Sequence, residues 1–426
     1  MSGAIAIRHI DLRTMEPPAG CAGPSYNIFW WGDLPLGARM AYPEQTPFGK
    51  GQLDALATEF LAEQLAAREP ALGAPLRATY EGEPKHVLSF APVRDLDRPL
   101  ARMESLAQPR DGDAGQVSVI LCTRDRLPDL TKCLASFEEQ VHRPGEIVVV
   151  DNSATGSARS ICAGIPGILY VHEPRPGLSI ARNAGVRAAG RTILAFTDDD
   201  VEVHPRWTSE VASAFADPTI EAMTGLVLPA CLDTAAQCFF QFDLGGFGTR
   251  FVPTLFEQQF FAETRPNGAH VWKIGAGANM AFRRSAFDRA GLFDERLGAG
   301  ASGCSEDSEF WYRLLALGGN CLYEPRAVVF HHHRAEWAAL KSQMRTYMKG
   351  HVSALVSQYD AFGDRGNLRR IWWQLPKHLL WMLSRSLHKR SDRREIMIEQ
   401  IRGWMTGLQY LFRPSWRRAK VERPCR

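Results

Sequence analysis

Leu194-Ala-Phe-Thr-Asp-Asp-Asp200, with β-branched Ile193 just before it, is an apolar run that ends in three consecutive carboxylates. A short apolar run of this kind reads as a buried strand. A buried strand that delivers acids to its C-terminal end puts them where open α/β sheets bind ligands. Left alone, Asp198, Asp199 and Asp200 would repel one another and be costly to desolvate. A divalent cation removes that cost. Hard carboxylate oxygens suit Mg2+ or Mn2+, ions that commonly share their coordination with substrate phosphates. A solvated acidic turn would carry the same triplet, so the flanking chain has to decide.

Upstream, strand and helix patterns alternate. Residues 117–122 and 146–151 read as strands, and 168–172 as a short third. Residues 129–141 have apolar Leu130, Cys133, Leu134, Phe137 and Val141 at helical spacing. Ser179 can cap a helix that runs to about residue 189, where Gly190 ends it, and 192–197 is the fourth strand. This spacing implies a mostly parallel sheet with right-handed crossovers. The first strand is followed by Thr123-Arg-Asp-Arg126, not by G-x-G-x-x-G, and there is no G-x-x-x-x-G-K-[ST] loop. A dinucleotide oxidoreductase and a P-loop NTPase are therefore disfavoured.

Two other strands end in polar groups on the edge that carries the triplet: Thr123-Arg124-Asp125 and Asp151-Asn152-Ser153. These suit hydrogen bonds to a nucleotide base and ribose, and equally suit ordinary turns. Downstream, Gly275-Ala-Gly277-Ala-Asn279-Met280 is a small-residue turn that lets backbone approach a ligand closely. Ser305-Glu306-Asp307-Ser308-Glu309 opens a helix. Acids there favour the helix dipole, and an ionised carboxylate aimed at solvent can serve as a general base. Residues 327–334 read as a strand ending in His331-His332-His333. In an extended chain His331 and His333 face one way and His332 the other, so at most two of them can serve one site.

In order along the chain stand Thr123-Arg124-Asp125-Arg126, Val150-Asp151-Asn152-Ser153, Gly177 to Gly185 with Arg182-Asn183, and Phe196-Thr-Asp198-Asp199-Asp200. Gly277-Ala-Asn279-Met280, Gly291-Leu-Phe-Asp294-Glu295, Glu306-Asp307 and the terminal histidines follow. In these eight elements the stretch from about 117 to 333 resembles family 2 glycosyltransferases of the GT-A fold. The resemblance implies a nucleotide-diphosphosugar donor, a divalent metal (Mn2+ or Mg2+) and inversion at the anomeric carbon. It implies that Asp198 and Asp200 are the acids of a D-x-D motif. Asp200 would touch the metal, and Asp198 the ribose or the metal. Asp307 matches the catalytic base and Asp151 the acid that contacts the nucleotide base. One terminal histidine, His331 by preference, would complete the metal shell. Thr123, Arg124, Asp125, Arg182, Asn183 and Asp199 fall to the donor side, and Gly277, Asn279 and Glu306 to the acceptor and sugar pocket. Asn152 stands where the family often has a second acid, which leaves the identity of the base contact open.

The rest of the 426 residues bounds the reading. The expected architecture is α/β. It comprises a GT-A mixed, mostly parallel sheet with flanking helices at 116–335, a small α+β N-terminal module at 1–110, and a helical basic region at 336–426. A net charge of +3 hides an asymmetry: residues 365–426 carry 16 Lys+Arg against 4 Asp+Glu. That balance, with a Trp-rich stretch at 371–383, suits the headgroup region of a membrane. A helical subdomain with a solvated basic face is the alternative. Nine scattered cysteines without a CxxC pair read as reduced thiols of a cytoplasmic protein, at most peripheral at the inner face of a membrane. No stretch is long and apolar enough to span a bilayer, and no nucleic-acid partner is expected. Expected partners are the donor and a glycan or lipid-linked acceptor, as in polysaccharide biosynthesis. Two competing classes remain. A nucleotidyltransferase would need a Gly-rich basic loop after the first strand, and a non-catalytic nucleotide-sugar binder would not hydrolyse a donor.

Overall fold

A computed structural model describes residues 3–14, 22–43, 48–66, 76–77, 107–108, 110, 112–248, 250–386, 391–414 and 416. The N-terminal strands β1 (Ala6–Asp11), β2 (Ser25–Trp31) and β3 (Leu34–Ala41) form a three-stranded sheet, β1 parallel and β3 antiparallel to β2. Helix α1 (Lys50–Ala66) covers one face, where Phe29, Leu36, Leu53 and Phe60 form a core.

The large sheet begins with the two-residue β4 (Leu76–Arg77) and continues through β5 (Val117–Thr123), β6 (Glu146–Asp151), β7 (Ile168–His172), β8 (Ile193–Asp198) and β9 (Val201–Val203). It is completed by β10 (Ile220–Pro229), β11 (Thr254–Phe256), β12 (Asn279–Arg283) and β13 (Asn320–His331). The order across it is β4-β11-β13-β10-β12-β8-β5-β6-β7, with β9 added against β13. The block β8-β5-β6-β7 is parallel, whereas β12 runs antiparallel to both β8 and β10. The apolar runs of β5, β6 and β8 are buried on both faces, as a covered parallel sheet requires. One face packs under α2 (Leu127–Glu138) and α4 (Trp207–Ala214), through Leu130, Phe137, Trp207 and Val211. The other packs under α3 (Leu178–Ala188) and α5 (Glu306–Ala316), around Phe196, Phe282, Phe293 and Phe310.

Three differences from the sequence reading have physical causes. Ser179 does not cap α3: Gly177 holds the cap position at φ 147, and the Ser179 hydroxyl donates to the Leu297 carbonyl at 2.8 Å. The ten-residue β10 is not visible as a strand run because Thr224, Gly225 and Pro229 interrupt its apolar pattern. Gly225 is required there: a Cβ would strike the Ala327 carbonyl of neighbouring β13. Third, the second face of the N-terminal sheet is not free. Tyr26, Ile28 and Trp30 share a core with Leu226, Leu228 and Val328 of β10 and β13. At roughly 2 kcal/mol per buried large apolar side chain, this contact binds the two sheets firmly.

The C-terminal region is helical: α6 (Trp337–Phe362), α7 (Arg365–Arg369), α8 (Leu375–Ser386) and α9 (Ser391–Tyr410). Helices α6 and α9 pack side by side, with Leu340, Met344 and Ile396 in contact and Arg345 paired to Glu399 at 2.5 Å. No helix among the described residues is long and apolar enough to cross a membrane. The seven described cysteines are free thiols. Cys21, Cys425 and most of 67–106 lie outside the described residues, as do parts of the basic tail.

Candidate active site at the acidic edge of the sheet

The three acids leave β8 in different directions. Asp199 is buried: it accepts from the Thr123 hydroxyl at 2.8 Å and from Arg126 at 2.7 Å. Burial and the neighbouring acids push its pKa up to about 7 against the pull of Arg126. Asp200 is buried too, but cations surround it. Its Oδ2 takes Arg126 at 3.0 Å with Arg334 at 3.6 Å, while its Oδ1 faces His331 Nε2 at 3.5 Å. Burial alone would raise its pKa, but His331, Arg126 and Arg334 outweigh that and hold it below the usual range. Asp198 keeps a third of its side chain exposed, and Arg182 reaches it at 3.3 Å. Burial is the main reason its pKa is raised, and Asp200 and Asp307 both add to the shift. The acids at the end of β8 and at the head of α5 therefore share one electrostatic environment.

Arg182 is the hub of that environment. It lies almost fully buried in α3 and bonds Glu306 at 2.5 Å, Asp198 at 3.3 Å and the Gly277 carbonyl at 3.3 Å. Burial disfavours its charge, but Glu306 and Asp198 more than compensate and raise its pKa. Glu306 is buried, and its Oε2 has no hydrogen-bond partner among the described residues. Desolvation pushes its pKa up to about 7, opposed by Arg182. Asp307 is half-buried, and its Oδ1 accepts from the Ser308 N–H at 2.6 Å. The residue before them, Ser305, is left-handed at φ 71, a strained setting for a non-glycine residue. Gly277 lies against this pair: a Cβ there would sit 2.9 Å from Asp307 Oδ2 and 3.2 Å from Arg182 Nη2.

The histidines divide as strand parity requires. His332 bonds Glu202 at 2.6 Å, while His331 and His333 lie buried together with Nδ1 atoms 3.0 Å apart. Burial lowers both pKa values, that of His333 to about 3, while Asp200 and Asp198 pull that of His331 back up. Their tautomers follow from Gln241, whose acceptor-only Oε1 stands 3.1 Å from His333 Nε2. With His333 donating there, its Nδ1 accepts from His331 Nδ1, which leaves His331 Nε2 facing Asp200. The Gln241 side chain is in turn hydrogen-bonded to Tyr26 of β2. The N-terminal sheet thus reaches the site through one buried chain of polar groups.

His331 Nε2 and Asp200 Oδ1, 3.5 Å apart, are an imidazole nitrogen and a carboxylate oxygen, both of them donor types for a divalent metal. The pair fits a divalent ion of the kind the family resemblance implies. Among the described residues no group of three or more His, Cys, Asp or Glu could hold such an ion alone. Phosphate and water would supply the remaining positions, the usual arrangement for Mg2+.

Other expected site residues are placed differently. Asp151 is buried and accepts from the Ser153 and Ala158 N–H groups and the Tyr170 hydroxyl. Burial would raise its pKa, but those bonds prevail and lower it. Asn183 exchanges two bonds with the Phe293 backbone. Asn279 is fully buried: its amide donates to the Leu226 and Ala327 carbonyls, and it accepts from Trp207. These three hold loops and strands in position. Arg124 and Asp125 are exposed on the turn after β5, where Asp125 is left-handed at φ 56 and accepts from Ser157. Arg126, Arg334, Gln241 and Tyr26 lie outside the sequence-based set. Arg126 stood within reach as the fourth residue of the Thr123 motif, whereas nothing local in sequence marks Gln241 or Tyr26. Two surface hollows, of about 270 Å³ beside Trp30 and His204 and about 380 Å³ beside Trp373 and Trp381, lie away from the acids.

Residues 118–291 match the family model described as glycosyl transferase family 2. The matched segment is 174 of the chain's 426 residues. The mixed sheet with flanking helices agrees with the GT-A architecture that the sequence resemblance implies. Among relatives, the succinoglycan biosynthesis protein ExoM of Rhizobium meliloti is 28% identical over 227 residues, covering 50% of this chain and 65% of that protein. The pre-mycofactocin glycosyltransferase of Mycobacterium tuberculosis is 26% identical over 291 residues, covering 61% of this chain and 57% of that protein. The chain thus spans less than two thirds of the length of either relative. Among solved structures, the mannosyltransferase PcManGT of Pyrobaculum calidifontis, in complex with GDP-Man and Mn2+, matches at 18% identity and a TM-score of 0.45. That match covers 74% of this chain and 93% of that one.

Proposed function

We propose that this protein is an inverting glycosyltransferase of family 2. It moves a sugar from a nucleotide-diphosphosugar to an acceptor hydroxyl, with Asp307 as general base and Mn2+ or Mg2+ as cofactor. The observation that carries the reading is the convergence on Arg182, which touches Asp198, Glu306 and the Gly277 turn at once. The acid-bearing edge and the helix that presents Asp307 are thereby drawn to one space.

In this reading Asp307 accepts the proton of the acceptor hydroxyl as that oxygen bonds to the anomeric carbon. The bond from that carbon to the diphosphate oxygen breaks, and its electron pair leaves with the nucleotide diphosphate. A single displacement inverts the carbon and needs no covalent glycosyl-enzyme. When bound, the divalent ion offsets the charge that develops on the departing diphosphate. Asp200 Oδ1 and His331 Nε2 are the groups that would hold it. Arg126 fixes Asp199 and Asp200, and Gly277 keeps the space beside Asp307 open. The exposed Arg124 and Asp125 and the part-exposed Asp198 are left to meet the donor. The acceptor is a glycan, a lipid-linked saccharide or a small molecule, and the succinoglycan-biosynthesis relative favours polysaccharide biosynthesis.

The test is a thermal-shift panel of nucleotide sugars with and without Mn2+, since a ligand of the folded form raises its stability by mass action. One donor class is expected to raise the unfolding midpoint more with Mn2+ than without. Asp200→Ala should remove the Mn2+-dependent part. A panel in which no nucleotide sugar stabilises the protein in either condition would reject the proposal.

A further inference from the structure

The helical run 365–386 is amphipathic in an inverted sense. Its inner stripe, Ile371, Leu375 and Leu379, is buried, and Ile371 and Leu375 pack with Val352 and Leu355 of α6. Its outer stripe is not polar. Trp372, Trp373, Leu380 and Trp381 are 61%, 66%, 65% and 52% exposed. Between α7 and α8 runs a π-helical turn, Arg370–Gln374, which carries both Trp372 and Trp373. Large apolar side chains grouped on one exposed face mark an interaction surface.

Charge indicates what that surface meets. From 365 to 390 the sequence has seven Lys+Arg and no Asp or Glu. Arg365, Arg369 and Lys377 are exposed, and no carboxylate among the described residues pairs with them. Arg369, Lys377, Trp373 and Trp381 line a hollow of about 380 Å³ on this face. Cations spaced among tryptophans, above a hollow that admits a phosphate headgroup, complement an anionic bilayer surface. Tryptophan prefers the headgroup region, and basic residues are drawn to an anionic leaflet. At this length, with the inner stripe packed on α6, the helix can lie in the interface but cannot cross it.

We propose that the outer face of α7–α8 is a membrane-docking surface that lies in the headgroup layer of an anionic bilayer. It inserts Trp372, Trp373 and Leu380 and pairs Arg369 and Lys377 with lipid phosphates. The docking is independent of the transfer chemistry.

The full chain is mixed with sucrose-loaded vesicles of phosphatidylcholine alone or with 30% phosphatidylglycerol (a composition chosen on the order of natural anionic content), and the bound fraction is measured by sedimentation. Partitioning into the anionic vesicles is expected to be at least about tenfold stronger and to weaken with salt. Trp372→Ser with Trp373→Ser should lower it by about tenfold or more while the nucleotide-sugar thermal shift stays unchanged. Arg369→Gln with Lys377→Gln should reduce the preference for phosphatidylglycerol. Quenching of wild-type tryptophan fluorescence by bromo-lipids gives a readout that needs no variant. The proposal is overturned if the wild type does not sediment with anionic vesicles, if bromo-lipids leave its fluorescence unchanged, or if the double tryptophan variant binds like wild type. It is also overturned if light scattering shows a dimer that this variant dissolves, because the face would then be covered by a second copy.

Discussion

The acidic edge of the large sheet and the outer face of α7–α8 break opposite rules of a globular fold. At the sheet edge, groups that belong in water are inside: Asp199, Asp200, Arg182, Glu306 and His331 are all buried. On the helix, groups that belong inside are in water: Trp372 and Trp373 are mostly exposed. The first region is made tolerable by pairing, with Arg126, Arg182, Arg334 and His331 within 2.5 to 3.6 Å of the acids they oppose. The second leaves both its apolar area and its cations facing solvent. Departures from local consistency concentrate where a protein has something to bind, and the two kinds of departure ask for different partners. Buried, imperfectly balanced carboxylates ask for a cation and the phosphates it carries, whereas exposed aromatics among cations ask for a surface.

If the two regions are separable in this way, perturbing one should leave the other untouched. Asp307→Asn has the largest expected effect. Transfer should fall by about 10²- to 10⁴-fold, the usual range for loss of a general base, with nucleotide-sugar thermal shifts and vesicle binding preserved. Wild-type turnover in that variant would remove Asp307 from its role. Gly277→Ala comes next, because the added methyl would press on Asp307 and Arg182. A displacement of this size should lower kcat/KM by roughly 10- to 100-fold. Unaltered steady-state kinetics would mean that Asp307 can shift without consequence.

The smallest effect concerns pH. The pKa of Glu306 is raised to about 7 by desolvation, so the folded state holds its proton more tightly than the unfolded chain does. The sign follows from linkage: this group's contribution is fully present below the ordinary value of 4.5 and is lost as pH rises through about 7. Between those limits Glu306→Gln should flatten the fall of the unfolding midpoint with rising pH. An identical pH profile in wild type and variant would show that Arg182 keeps the group ionised throughout.

The parts of the molecule legible in sequence are those with a strong period or a dense motif. The apolar run ending at Asp200 is β8, and the acids of 306–309 do open α5. What stayed hidden depends on partners far away in the chain. Asn152 and Asn183 look like ligand-binding amides, yet both hold backbone groups of neighbouring loops. A polar side chain does not record in sequence whether its acceptor is a ligand or its own chain. Gln241 is 92 residues from His333, and the contact that orders the histidine pair has no local pattern. The N-terminal sheet reads as a module of its own because its core is legible, whereas the packing of Tyr26 and Trp30 onto β10 and β13 is a tertiary fact.

Strand β9 is only three residues long, yet it zips Val201–Val203 against Val329–His331, and the His332 N–H closes the ladder on the Asp200 carbonyl. The acids and the histidines are therefore counted out from the same short ladder. Strand side chains alternate, so inserting or deleting one residue just before His331 would exchange inside for outside. His332 would then take the buried place and His331 the one beside Glu202. Divergence in this segment is thus governed by parity: two-residue changes can preserve the site, and single-residue changes invert it.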